Sequence, residues 1–173
     1  WAQRIAQDWL VLELTNNNGT YLGLVTAVQF APVLFFSLRG GKLADRFNKR
    51  KVLILTNILG GSASLGLGAL VITEHIQLWH VFVLAAVLGI STAIDAPVRQ
   101  SFTTEVVGQT DLPNAVSLNS ANFNAGRLVG PAVSGGLIAA FGTGPSFIIN
   151  GLSYFFVITA LLNLDEKAFF DRD

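Results

Sequence analysis

The sequence predicts an all-α membrane protein. Hydrophobic residues make up 51% of the 173 residues and charged residues only 13%, about half the charged share of an ordinary soluble domain. Uncharged stretches are long, and a helix needs about 20 mostly apolar residues to cross a bilayer. The strict alternation of apolar and polar residues that marks membrane-spanning strands is absent, so helices are the structure that satisfies the backbone inside lipid.

Uncharged stretches locate the spans that follow a short first helix. Residues 14–38, 52–73 and 76–94 carry no charge, and residues 112–164 carry a single one. The last stretch is too long for one span, and the glycines and proline of residues 141–146 predict a loop that divides it. The sequence therefore predicts six helices: one to about residue 15, then about 20–39, 52–73, 78–98, 113–141 and 146–164.

The domain organisation follows from the same pattern. We expect residues 1–164 to form one bundle of six transmembrane helices, and the charge-dense residues 165–173 to begin a central cytoplasmic linker. The sequence contains no methionine and starts within an apolar, helix-like stretch. We therefore expect the first helix to be truncated.

Basic residues are confined to one side of the predicted bundle. Arg99 follows the fourth helix, and Lys167 and Arg172 follow the sixth, whereas the three loops on the opposite side contain no Lys or Arg. The loop between the second and third helices contains Arg39, Lys42, Arg46, Lys49, Arg50 and Lys51 against one acid, Asp45. The positive-inside rule places this side in the cytoplasm and predicts a multi-pass protein of the cytoplasmic (inner) membrane.

Enzyme, metal and nucleic-acid classes find no support in the sequence. The chain has no cysteine, which excludes disulfides and thiolate metal sites. His75 and His80 lack metal-ligand spacing, and the phosphate-loop, HExxH and GxSxG patterns are absent. The net charge is zero. We expect neither an enzyme nor a cofactor, metal or nucleic-acid partner.

A charged motif occupies the loop between the second and third predicted helices. Residues 41–50 read GKLADRFNKR. This segment resembles the G-x-L-a-D-R-x-G-R-[RK] signature of the major facilitator superfamily, with Asn48, which tolerates a left-handed backbone, in place of a glycine. The resemblance implies a charge latch that steadies the outward-facing state. The alternative is a basic loop that only sets the topology.

Asp95 lies at the cytoplasmic end of the fourth predicted helix. Charge there is costly unless it is paired or reaches the surface, so Lys49 or Arg50 is its expected partner. A plain helix end with interfacial charges is the alternative. The resemblance implies a latch formed by Gly41, Asp45, Arg46, Lys49, Arg50, Asp95 and Arg99.

Small residues recur every four positions on the fifth predicted helix. Residues 126–136 read GRLVGPAVSGG, and such a face lets helices approach closely. The segment resembles the glycine-proline signature of exporter-type antiporters, with a serine at one glycine position. The resemblance implies antiporter-like packing by Gly126, Gly130, Pro131, Ser134 and Gly135, and general small-residue packing is the alternative. Similar stripes predict packing faces on the third helix (Gly60, Ser64, Gly68) and on the fourth (Ala85, Gly89, Ala93).

Two polar groups are candidates for transport itself. Ser117, Ser120, Asn124 and Arg127 share a narrow arc of the fifth helix, which indicates either a substrate-binding cavity or an interhelical hydrogen-bond set. On the first helix, Arg4 and Asp8 are one turn apart. They form either an intrahelical ion pair or a cavity-lining cation beside a carboxyl that carries the coupled proton.

Further segments resemble one branch of the superfamily, the drug and siderophore exporters that include macrolide efflux proteins and the enterobactin exporter. These segments are residues 4–12 (RIAQDWLVL), 95–100 (DAPVRQ) and 114–120 (NAVSLNS). The resemblance implies a twelve-helix fold of two six-helix halves, of which this chain is the N-terminal half.

The expected partners are then the lipid bilayer, a small-molecule substrate, protons and the missing C-terminal half. The expected function is efflux of a small organic molecule (a drug, siderophore or related metabolite) by proton antiport with alternating access. An importer, a lipid-type flippase and a non-transporting sensor or half-protein are the alternatives.

Overall fold

The computed structural model of the chain describes residues 2–37 and 47–164. Three helices precede a long helical stretch: α1 (Ala2–Leu14), α2 (Gly19–Ser37) and α3 (Lys49–Ile72). The long stretch, Leu78–Phe141, is broken at Gly108, whose backbone is non-helical. We label its first part, Leu78–Gly108, α4 and the remainder, residues 109–141, α5. The last helix, α6, is Thr143–Asn163.

The all-helical prediction is confirmed, and strands are absent from the described residues. Four helical segments are long and apolar enough to cross a membrane: Gly19–Phe36, Lys49–Ile72, Leu78–Gly108 and Thr143–Asn163. Many large apolar side chains on these segments are exposed, Leu34 and Phe156 at 74% and 75%. Such a surface suits a protein whose solvent is lipid.

Two glycines make the connections shorter than the sequence predicted. Gly108 has φ 69° and ψ 176°, so α4 continues ten residues past the predicted end at about residue 98, and α5 begins before residue 113. Gly142, with φ 82°, separates α5 from α6, so the predicted break within residues 141–146 is confirmed, but one residue makes it where a six-residue loop was predicted. Positive φ is cheap for glycine, and Pro145 lies in the first turn of α6, where its missing N–H costs no hydrogen bond.

Small residues bring the helices into close contact, as the stripes on the third and fourth helices predicted. Gly60, Ser64 and Gly68 are all buried on α3. A Cβ at Gly68 would lie 2.6 Å from Ile148 of α6. On α4, a Cβ at Gly89 would lie 2.2 Å from the backbone oxygen of Gln29 in α2. These contacts pack α3 on α6 and α4 on α2.

Two apolar clusters form the core, each shared by several helices. One contains Ala6, Leu10 and Val11 of α1 with buried residues of α2, α3, α4 and α6, including Phe147. The other joins Leu53 of α3, Val98 and Phe102 of α4 and Leu161 of α6. The second cluster holds together the helix ends that carry the charged residues described next.

Candidate functional site

Asn48 starts α3 as a helix cap. Its side-chain Oδ1 accepts a hydrogen bond from the Lys51 backbone N–H at 3.1 Å, and its backbone is extended, with φ −61° and ψ 110°. The expectation that this residue relies on tolerance of a left-handed backbone is therefore wrong. An N-cap needs an extended backbone and a short polar side chain, and asparagine supplies both.

Two cations in the first turn of α3 join it to neighbouring helices. Lys49 forms an ion pair with Glu105 near the end of α4. Arg50 donates from Nε to the Leu161 carbonyl and from Nη2 to the Leu162 carbonyl, each at 2.6 Å. Those carbonyls belong to the last turn of α6, where positive charge is favourable. The start of α3 is thus held against the ends of α4 and α6.

Asp95 lies deeper in the bundle, where it accepts several hydrogen bonds. Arg99, one turn further along α4, donates to both carboxylate oxygens at 2.8 and 2.9 Å. Thr56 and Asn57 of α3 donate to Oδ1 at 2.8 and 3.2 Å. The side chain of Asp95 keeps 21% of its exposure and that of Arg99 keeps 43%.

The sequence predicted Lys49 or Arg50 as the cation beside Asp95, whereas the cation in its described contacts is Arg99. Helices α3 and α4 run side by side in opposite directions, so Lys49 is level with Glu105, whereas Asp95 is level with residues seven or eight positions further along α3. At 1.5 Å per residue, this separates the two levels by about 10 Å. Arg99 is within reach because it follows Asp95 by one turn.

A polar cavity of about 260 Å³ adjoins the Asp95–Arg99 pair. It is bounded by α3, α4 and α6. Its lining consists of Thr56, Asn57, Leu88, Ser91, Thr92, Asp95, Ala96, Arg99 and Tyr154.

The polar residues of α1 contact two different neighbours. The Arg4 guanidinium lies over the Phe30 ring of α2 at 4.9 Å, a favourable cation–π distance. Gln7, which is buried, donates to Gln29 of α2 at 3.1 Å. Asp8 is only partly buried, and Arg4 lies one turn earlier on the same helix.

The predicted polar arc of α5 is exposed along its length. Ser117 donates to the Pro113 carbonyl at 2.8 Å, and Asn124 donates to the Ser120 carbonyl at 2.9 Å. Both bonds stay within α5. Among the described contacts, none joins this arc to Arg4 or Asp8, and Arg127 is exposed.

The small-residue face of α5 makes one clear contact with α1. Ser134 is buried and donates to the Ala2 carbonyl at 2.9 Å. Gly126, Gly130 and Pro131 are partly buried, whereas a Cβ at Gly135 would meet no atom within 4 Å. A further cavity of about 700 Å³ lies between α4 and α5, and Asn119 and Asn122 contribute to its lining.

Several polar residues of the described site were not predicted. Glu105, Thr56 and Asn57 hold the charged groups, and Tyr154 lines their cavity. The signal that could have found them is the presence of hydrogen-bonding groups within apolar spans, which are costly there unless they have partners. Three latch residues of the resemblance, Gly41, Asp45 and Arg46, lie outside the described residues.

Comparison with known proteins identifies the family of this chain. The sequence profile of a family described as transmembrane secretion effector (MFS) matches residues 1–171. The Staphyloferrin A transporter of Staphylococcus aureus is 28% identical over 171 residues, covering 96% of this chain and 42% of that protein. No solved structure matches the chain.

Two further relatives are exporters by name. The multidrug efflux pump Tap of Mycolicibacterium fortuitum is 28% identical over 145 residues, covering 80% of this chain and 35% of the pump. The enterobactin exporter EntS of Shigella flexneri is 21% identical over 155 residues, covering 90% and 38%. The chain thus spans less than half the length of the curated relatives that it matches.

Proposed function

The chain belongs to the transmembrane secretion effector family of the major facilitator superfamily, and from this membership we propose that the protein exports a small organic molecule from the cytoplasm. The relatives named as a siderophore transporter and as drug and siderophore exporters support a substrate of that class. The observation that carries the proposal is the profile match along nearly the whole chain. The protein is a transmembrane transporter and not an enzyme.

We further propose that export is coupled to proton entry through alternating access. Asp8 is the candidate proton carrier, because it is an acidic side chain of α1, which was predicted to be a transmembrane helix, and is only partly buried. A carboxyl in that setting can exchange its proton as the bundle opens to either side. Arg4 lies one turn earlier on the same helix.

The charged contacts at the ends of α3, α4 and α6 support a latch on the cytoplasmic side. Lys49 with Glu105 joins the start of α3 to the end of α4, and Asp95, paired with Arg99 on α4, accepts hydrogen bonds from Thr56 and Asn57 of α3. Arg50 adds the bonds to the last turn of α6. In the proposal, Gly41, Asp45 and Arg46 complete this latch.

The arc Ser117, Ser120, Asn124 and Arg127 is proposed to face the substrate cavity. Its exposure within this six-helix bundle supports the assignment, because a lipid-facing arginine near the middle of a span is costly. A second half of the protein would then close the cavity over α5. We place the bundle in the cytoplasmic membrane with the basic loop inside.

The experiment uses the full-length protein in inside-out vesicles with a pre-formed proton gradient. Siderophores and macrolides are added in turn while a fluorescent pH probe reports the gradient. Substrate-dependent loss of the gradient is expected for the wild type and is expected to disappear in Asp8→Asn.

The matched control is Glu13→Gln, an exposed acid on the same helix that is bonded to Trp9, and it should behave as wild type. Substrate efflux without proton movement would refute the coupling and leave export standing. Net uptake into the cytoplasm would refute export in favour of an importer.

A further inference from the structure

Tyr154 is a half-buried residue of α6 that faces the charged pair on α4. It lines the cavity of about 260 Å³ that contains Asp95 and Arg99. Its hydroxyl is the only side-chain polar group that α6 contributes to the lining described for this cavity. Neither the sequence motifs nor the latch accounts for a tyrosine at this position.

Two adjacent glycines of α3 make room for the tyrosine ring. A Cβ at Gly60 would lie 3.0 Å from Cε1 and 3.3 Å from the hydroxyl oxygen of Tyr154, and a Cβ at Gly61 would lie 3.1 Å from its Cβ. The tyrosine side chain therefore packs closely against the backbone of α3. Any side chain at Gly60 would push the hydroxyl away from its present position.

The Asp95 carboxylate in this cavity can accept one more hydrogen bond, as a phenol donor requires. Asp95 Oδ1 accepts from Thr56, Asn57 and Arg99, whereas Oδ2 accepts from Arg99 alone among the described bonds. An ionised carboxylate has about four acceptor positions, so Oδ2 retains capacity. The Asn150 amide pairs with the phenol oxygen as a donor, so the phenol O–H still needs an acceptor, and this carboxylate is the anionic group in its cavity.

We propose that Tyr154 is a positioning residue, whose hydroxyl donates toward the Asp95 carboxylate and thereby ties α6 to the Asp95–Arg99 pair. The neighbouring Asn150, one turn earlier on α6, donates to Ser64 of α3 at 3.2 Å and to Gln3 of α1. Movement of α6 would thus be transmitted to the charged pair on α4 through Tyr154, and to α1 through Asn150.

A spectroscopic experiment tests the contact without any assay of transport. In the full-length protein in detergent, 3-fluorotyrosine is incorporated at position 154 and, in a second sample, at Tyr21, the other tyrosine of this sequence. Asp95→Asn is expected to move the ¹⁹F resonance at 154 by more than its linewidth and to leave the resonance at 21 in place. Lys51→Gln, which removes an exposed cation elsewhere on α3, should move neither. An unchanged resonance at 154, or equal shifts at both positions, overturns the proposal.

A second measurement asks what the contact does, and it alone rests on the proposed function. Tyr154→Phe keeps the ring and removes the donor. The loss of one hydrogen bond to a partly exposed charge predicts a fall of about 3- to 10-fold in the maximal export rate, with KM unchanged. Tyr21→Phe is the matched control and should export at the wild-type rate.

If export is absent from the wild type as well, the proposed function fails while the ¹⁹F result stands by itself. If Tyr154→Phe exports at the wild-type rate, or raises KM alone, the positioning role is refuted.

Discussion

At the scale of single residues, Asp95 is a carboxylate kept inside an apolar bundle by its hydrogen bonds. Moving a charge out of water costs several kcal/mol unless the charge is paired and its oxygens accept hydrogen bonds. Arg99 supplies the counter-charge, and Thr56 and Asn57 supply neutral donors from a second helix. Because both side chains of the pair remain partly exposed, its contribution to stability is smaller than that of a fully buried pair.

Asp95→Asn is expected to lower the free energy of unfolding by about 1–2 kcal/mol, because it replaces an acceptor of charge-assisted bonds by an amide that also needs acceptors. The measurement is thermal unfolding of the detergent-solubilised full-length protein. Asp111→Asn, at an exposed acid of α5, is the control and should change stability little. Equal stability of wild type and Asp95→Asn would show that the carboxylate is not held by these bonds.

The sequence predicted the residues of the charged site better than their pairing. Charges are rare in and beside these spans, so the charged residues are conspicuous in the sequence: Lys49, Arg50, Asp95 and Arg99. Their partners depend on the register between α3 and α4, which no local pattern encodes. Thr56, Asn57 and Tyr154 carry no charge and are inconspicuous until that register is known.

At the scale of helices, small residues set which elements touch. The stripe Ala85, Gly89, Ala93 predicted a packing face on α4, and all three residues are buried. Gly89 allows the backbone of α2 to approach so closely that a methyl group would overlap the Gln29 carbonyl oxygen. Periodicity thus predicts the face of a helix, whereas it does not reveal which partner helix will cover that face.

Gly89→Ala is expected to destabilise the bundle by about 2–3 kcal/mol, because a backbone carbonyl cannot rotate away as a side chain can. Thermal unfolding in detergent measures the effect. Gly23→Ala is the control: it lies on the crossing partner α2, and a Cβ there would meet no atom within 4 Å. The control should be neutral or should gain up to about 1 kcal/mol from helix propensity. Similar melting of both variants would contradict the close crossing.

Helix ends were the least accurate part of the sequence prediction. Composition predicted loops at 99–112 and 141–146, and single glycines with positive φ replaced them, Gly108 and Gly142. The local sequence does not distinguish a glycine that packs against another helix, as Gly89 does, from a glycine that ends a helix. The distinction depends on tertiary contacts, so it could not be drawn from the local sequence.

At the scale of the whole molecule, orientation across the membrane links the proposed latch to the proposed direction of transport. The Lys49–Glu105 ion pair and the hydrogen bonds of Arg50 lie at one end of the bundle, at the start of α3 and the ends of α4 and α6. If that end faces the cytoplasm, the latch acts on access from the cytoplasmic side, as an exporter requires. If it faces outward, the same contacts would control release on the opposite side.

This sequence contains no cysteine, so single-cysteine variants of a full-length protein in which any cysteine elsewhere is replaced by serine test that orientation directly. We expect Asn18→Cys, in the exposed connection between α1 and α2, to react with a membrane-impermeant maleimide in intact cells expressing the full-length protein. Lys51→Cys, exposed at the other end of the bundle, should react only after the membrane is permeabilised, because the basic loop is retained on the cytoplasmic side. Both variants should react equally in detergent, which controls for intrinsic reactivity. Labelling of Lys51→Cys but not of Asn18→Cys in intact cells would show that the bundle has the opposite orientation. The proposed latch would then act on the outer side of the membrane.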